Sequence, residues 1–105
     1  MYARIGRWHG QDTELGRWVG RSRDEVVPQV QAAPGSCGVL LLLDREHGQA
    51  LTITLWESEQ ALHASEQRRA RLQEGTTQAS GAQVETSRYE VVACELTSNS
   101  LRGEH

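Results

Sequence analysis

Lysine is absent from this 105-residue sequence, so all 11 basic residues are arginines, a matter of coding bias more than of chemistry. They face 14 acids, for a formal net charge of -3. Nucleic-acid binding calls for a clustered basic footprint. The one basic cluster, Arg68-Arg69-Ala70-Arg71, is flanked by Glu66 and Glu74 and reads as a solvated helix face. No apolar run approaches the ~18 residues of a membrane span. Met1-Tyr2-Ala3-Arg4 carries no signal-peptide pattern, so a cytoplasmic protein is expected. Cysteine is scarce: Cys37 and Cys94 do not make a disulfide framework. His9, His47, His63 and His105 are scattered without metal-ligand spacing. No Gly-x-Gly-x-x-Gly, P-loop or Gly-x-Ser-x-Gly is found, which leaves phosphate cradles, a hydrolase elbow and any cofactor motif unsupported.

What is present fits one soluble domain: 37% hydrophobic and 24% charged residues in a chain of common domain size. The domain is expected over residues 1–96, with a flexible tail over 97–105. The first strand is Tyr2 to Trp8, with Tyr2, Arg4, Gly6 and Trp8 on one face and Ala3, Ile5 and Arg7 on the other. Gly10-Gln11-Asp12 ends it, and Asp12 is placed to cap a helix whose first turn holds Glu14. That helix carries Leu15, Val19, Ser22, Val26 and Val30 at helical spacing, widened by Trp18 and Val27. Pro28 predicts a kink or break near Asp24–Val27, and Ala33-Pro34-Gly35 a stop.

The second strand, Cys37 to Asp44, is continuously apolar from Val39 to Leu43, a pattern that implies burial on both faces. A turn over Glu46–Gln49 makes a hairpin with the third strand, Ala50 to Glu57, where Leu51, Ile53 and Leu55 oppose Thr52, Thr54 and Trp56. Ser58 caps a second helix running to about Gln73, with a thin stripe of Ala61, Leu62, Ser65, Arg69 and Leu72. Thr76 to Ala82 is a polar loop, and Val84 to Leu96 holds the last strand, strongest at Tyr89–Cys94. The order βαββαβ is the ferredoxin-like α+β arrangement with a four-stranded antiparallel sheet. Two helices cover only one face of such a sheet, so a second copy of the chain is expected on the other. Trp56 would then pack where strand, helix and partner sheet meet. The ferredoxin-like strand order 4-1-3-2 puts Cys37 and Cys94 on opposite edges, beyond bridging distance, so both are expected as free thiols.

Pro34-Gly35-Ser36-Cys37-Gly38, the apolar strand after it, and Leu51 to Leu62 with Trp56-Glu57-Ser58 and Ala61-Leu62 resemble the antibiotic-biosynthesis monooxygenase family of dimeric α/β barrels. The resemblance covers about Tyr2 to Leu96. It implies a homodimer, a pocket between sheet and helices in each subunit, and cofactor-independent oxygenation of an electron-rich aromatic such as a quinol or anthrone. A non-catalytic dimeric ligand-binding or stress-responsive module of the same fold is the alternative. The haem-degrading relatives use an Asn on the first strand, a Trp at the position of Ser65, and a His near the position of Gly75. All three are missing, which disfavours haem turnover.

Six residues are candidates for the site. Arg4, central in the first strand, must be paired or hydrogen-bonded if buried. It is either an anchor for an anion or phenolate, or a partner of Glu57, Glu90 or Glu95. Trp8, Trp18 and Trp56 are candidate substrate-binding aromatics, with core packing as the competing role. His63 is a candidate base or a helix-surface histidine. Tyr89 is a candidate phenolic donor or an interface tyrosine.

Overall fold

Strand alternation sorts every residue of the sheet to one of two unlike faces, and the helices cover just one of them. The computed structural model describes residues 1–74 and 82–97. Strand β1 (Tyr2–His9) leads to helix α1 (Asp12–Arg21), which continues through a π-helical turn (Ser22–Val26) into α2 (Val27–Ala32). Strands β2 (Ser36–Asp44) and β3 (Gln49–Trp56) form the hairpin, α3 (Glu59–Glu74) follows, and β4 (Ala82–Glu90) completes the sheet. The strands lie in the order β2-β3-β1-β4, every neighbour antiparallel. This is the expected ferredoxin-like α+β fold.

The helix-covered face carries Tyr2, Arg4, Gly6 and Trp8 of β1, which pair with Trp56, Thr54, Thr52 and Ala50 of β3. Leu15 and Trp18 of α1 bury themselves on this face against Ala50, joined by Trp8, Val19, Leu41 and Leu43. The opposite face carries Ile5, Leu51, Ile53 and Leu55, with Leu40 and Leu42 on the edge strand. Among the described residues no helix covers it, and Leu40 and Leu42 are 47% and 42% exposed. The double burial expected for Val39–Leu43 is therefore not met within one chain: the inward residues are covered and the alternate leucines are not.

The break expected at Pro28 is the π-helical turn. Proline lacks the N–H of a helix interior and clashes with the carbonyl one turn back, and a widened turn relieves both. The Val27 N–H reaches the Ser22 carbonyl, five residues back. One inserted residue rotates the helical phase by about 100°. Ser22, ahead of the shift, is buried as its place in the stripe predicts, whereas Val26, also expected in the stripe, turns out to solvent. The helix cap also differs by one residue from the expectation. Gln11, not Asp12, is the N-cap, and its N–H donates to Glu14 Oε1 at 2.8 Å. Ser58 caps α3 as expected, accepting the Ala61 N–H at 3.1 Å.

β4 starts earlier and stops sooner than its sequence suggests. Ala82, expected in the preceding loop, pairs with His9, and the last cross-strand pair is Tyr2 with Glu90. The Val91 N–H still reaches the Met1 carbonyl at 2.9 Å. The strand-forming Val-Val-Ala-Cys segment that follows is not paired with another strand in the described residues, and Val92 is exposed. The rest of the expected polar loop and the tail from residue 98 onward lie outside the described residues. Cys37 and Cys94 are both free and exposed. Among the described residues no helix is long and apolar enough to cross a membrane.

The turn between α2 and β2 is braced against the turn between β3 and α3. Gly35 has a φ of 82°, and its carbonyl accepts the Glu57 N–H at 2.8 Å. A Cβ on Gly35 would lie 2.5 Å from that of Ala61. Gly35→Ala therefore combines a left-handed backbone with a clash. It should lower the stability by about 1–3 kcal/mol, measured by urea unfolding.

Candidate functional site

Three cross-strand rows make up the floor beneath the helices. The first row holds Val39, Thr54, Arg4 and Arg88; the second Leu41, Thr52, Gly6 and Thr86; the third begins with Leu43, Ala50 and Trp8. Toward β1 and β4 the middle row carries small residues, Thr52, Gly6 and Thr86, between an arginine row and an indole row, while Leu41 at its β2 end packs into the core. Arg4 and Trp8, four residues apart on one strand face, are separated by about 13 Å at ~3.3 Å per residue.

Arg4 is 93% buried, with only 7% of its surface exposed. Its Nη1 donates to Ser65 Oγ at 3.3 Å, and Ser65 in turn donates to the Leu62 carbonyl at 2.6 Å. Thr54, buried beside it, accepts the indole N–H of Trp56 at 2.9 Å. At the other end, Trp8 and Trp18 meet with ring centroids 6.2 Å apart and planes tilted by 48°. A Cβ on Gly6 would lie 3.4 Å from Trp8 Nε1, so the indole leans back over the glycine and lays an aromatic surface along the floor.

The six candidates divide accordingly. Arg4 and Trp8 flank the middle row, and Trp18 supports Trp8 from α1. Trp56 is on the same face but is 1% exposed and sealed at the strand–helix corner, rather than meeting a partner sheet. His63 stands on the outer side of α3 with its side chain 58% exposed, its Nδ1 3.7 Å from Glu66 Oε1. Tyr89 pairs with Ala3, which puts it on the uncovered face and away from Arg4. The structure thus pairs Trp8 with Trp18, puts Arg4 on the same face of β1 four residues from Trp8, and sets His63 and Tyr89 apart from that face.

Sequence reasoning missed Arg88, Glu66 and the hydroxyl of Ser65 as neighbours of Arg4. Arg88 Nε donates to Glu66 Oε2 at 2.5 Å, and this hydrogen-bonded carboxylate raises the already high guanidinium pKa further. The alternation of β4 held the signal, since Arg88 and Tyr89 must lie on opposite faces, but only the register shows which one faces Arg4. Elsewhere, His47 clips the hairpin turn by donating its backbone N–H to Asp44 Oδ1 at 3.2 Å, with its ring Nδ1 2.9 Å from Oδ2. The side-chain bond from His47 leads in lowering the Asp44 pKa. That clip, and a shallow hollow between Leu42, Leu43, Asp44, Gln49 and Leu51, lie at the hairpin end and away from Arg4. Among the described residues no group of three or more metal-ligating side chains is found.

Thr54 is the acceptor that satisfies a buried indole. Thr54→Val should cost about 1–3 kcal/mol by stranding the Trp56 N–H, and Thr54→Ser should restore most of it, both measured by urea unfolding.

No family model matches the chain. It is 27% identical over 103 residues to the uncharacterised protein Rv2557 of Mycobacterium tuberculosis, a match covering 98% of the chain and 46% of that protein. The chain thus spans about half the length of the curated relatives it matches. Among solved structures, the haem degrader MhuD of M. tuberculosis superposes with a TM-score of 0.68 at 21% identity, covering 89% of this chain and 97% of MhuD. The cofactor-independent oxygenase SnoaB of Streptomyces nogalater gives a TM-score of 0.63 at 12% identity over 89% and 94% of the two chains. A protein of Deinococcus radiodurans ascribed to the antibiotic biosynthesis monooxygenases gives 0.65 at 13% identity over 94% and 100%. The chain has the fold of the antibiotic biosynthesis monooxygenases.

Proposed function

We propose that this protein binds a small aromatic molecule of quinol, anthrone or related polyketide type along the Gly6–Thr52–Thr86 row and oxygenates it without metal or flavin. The observation that carries the reading is the buried Arg4 guanidinium, set one row from a floor of small residues with an aromatic pair beyond. The shared fold with a cofactor-independent oxygenase supports it. In the reaction, an anthrone-type CH2 group loses a proton to give an enolate, and the enolate transfers electrons to O2. A C–O bond forms, the resulting hydroperoxide loses water by O–O cleavage, and a carbonyl remains. One O2 is consumed and one H2O released, so no external reductant enters.

Arg4 stabilises the enolate oxygen, a role worth about 2–4 kcal/mol in a dry site. Trp8 stacks on the ring. His63 and Tyr89 stand apart from the row, so the proton passes to water at its half-exposed end. Haem is not the proposed substrate: Ser65 stands where the resemblance places the haem degraders' Trp, and its hydroxyl is engaged by Arg4. The region of the missing His, near Gly75, lies outside the described residues.

Oxygen uptake with a panel of anthrones and quinols tests the reading. Arg4→Gln should lower the rate by about two orders of magnitude with the fold intact by circular dichroism. If no compound raises uptake above background, the non-catalytic module of the same fold replaces the oxygenase.

The same reading includes a homodimer joined through the uncovered sheet face. Ile5, Leu40, Leu42, Ile53, Leu55 and Tyr89 supply its apolar surface, which gains roughly 25 cal/mol for each Å² of apolar area buried. Sedimentation at micromolar concentration should give about twice the monomer mass of 11.7 kDa. Leu42→Glu should shift the protein toward monomer, because an unpaired carboxylate would be buried in the joint. A well-folded monomer in the unsubstituted protein would rule the interface out.

A further inference from the structure

Arg4 and Arg88 stand directly opposite each other on β1 and β4, on the helix-covered face. Opposed Cβ atoms in an antiparallel pair are about 5 Å apart, and like charges placed so are destabilising. A pair of guanidiniums in this position needs something between or beside it. Helix α3 supplies both neighbours from consecutive residues. Ser65 takes Arg4 at 3.3 Å, and Glu66 takes Arg88 at 2.5 Å. The two arginines differ in burial: Arg4 is enclosed, while the Arg88 side chain is 52% exposed and so is free to re-aim. On both strands the next inward-facing residues are Gly6 and Thr86, the small floor of the proposed site.

A ligand lying on that floor presents its edge to both guanidiniums. A phenolate offers one oxygen there. A carboxylate offers two, matching two cationic forks with charge-assisted hydrogen bonds. Glu66 already shows what fits, since a carboxylate of the chain itself occupies Arg88. We infer that Arg88 is a second anionic-group anchor beside Arg4, with Glu66 as an internal carboxylate that a ligand's own carboxylate displaces, so that the site selects aromatic acids. Displacement keeps the charge balanced: Arg88 exchanges one carboxylate for another, and Glu66 turns to solvent beside His63. Because each incoming anion competes with Glu66, a bare anion gains little, and only one with an aromatic body to stack on Trp8 gains enough to bind. The inference rests on the aromatic reading of the same site and adds the acidic substituent to it.

Calorimetric titration of the full chain with 2-naphthoate and with its neutral methyl ester tests this at neutral pH. Naphthoate should bind about tenfold more tightly than the ester. Arg88→Gln, at an exposed side chain, should abolish that preference by weakening naphthoate about tenfold more than the ester. Glu66→Gln should strengthen naphthoate binding several-fold, roughly the gain from removing an internal competitor. Equal affinities for the two probes, or a preference untouched by Arg88→Gln, would overturn the anchor and leave the aromatic site standing. Weaker naphthoate binding by Glu66→Gln would overturn the displacement. If neither probe binds, the aromatic reading fails and the inference falls with it.

Discussion

The constraint on which this structure turns is the burial of one guanidinium. An arginine cannot be deprotonated to escape desolvation, so Arg4 has to be met by polar groups wherever the fold encloses it. Its position in the middle of β1, on the face the helices cover, is fixed by strand alternation and cannot be adjusted by a rotamer. The neighbouring residues answer that demand. Ser65 presents a hydroxyl from α3, and that hydroxyl passes its own proton to the Leu62 carbonyl. Thr54, the cross-strand partner, is a polar residue where an aliphatic one would otherwise pack. Trp56 then completes Thr54 with its indole N–H. Two sets of side-chain hydrogen bonds, Arg4–Ser65–Leu62 and Trp56–Thr54, thus lie side by side at the junction of β1, β3 and α3.

Away from that junction the same face becomes apolar. Leu15 and Trp18 close over Ala50 at the hairpin end, with Leu41 and Leu43 beneath. The row of Gly6, Thr52 and Thr86 is the boundary between these two regimes. A boundary of this kind suits a molecule with an apolar body and a polar edge, because each end finds the environment it needs. Trp8 serves the boundary from one side, with its indole lying back over Gly6.

Much of this was legible in the sequence. Element order, the Ser58 cap, the break at Pro28 and the left-handed turn at Gly35 each follow from one residue's local chemistry. The two faces of β1 follow from alternation alone. The parts that were not legible depend on distances between elements. Pro28 announces a break but not its form, and the π-helical turn shifts Val26 out of a stripe that simple periodicity assigns it to. Val91–Cys94 has strand-forming composition, yet the ladder with β1 stops at Tyr2–Glu90. Arg88 and Tyr89 are neighbours of equal promise in the sequence, and only the register with Arg4 and Ala3 decides between them. His63 was singled out for its intrinsic pKa, but its place on the exposed side of α3 follows from which stripe of that helix the sheet accepts, and the stripe is thin.

β1, like β3, is an inner strand that joins the two faces of the sheet. Its odd-numbered positions, Ala3 and Ile5, belong to the uncovered apolar face, and its even-numbered positions, Arg4, Gly6 and Trp8, build the site. As an inner strand it is hydrogen-bonded on both sides, so its backbone has little freedom to move independently of the sheet. Whatever settles on the outer face therefore acts on the site through the same eight residues. Covering Ile5 would remove water from one side of the strand. In the proposed dimer, a second sheet packed there would do more than hide apolar surface: it would stiffen the floor on which Arg4, Gly6 and Trp8 are spaced, and that spacing would set the size of ligand the proposed site accepts.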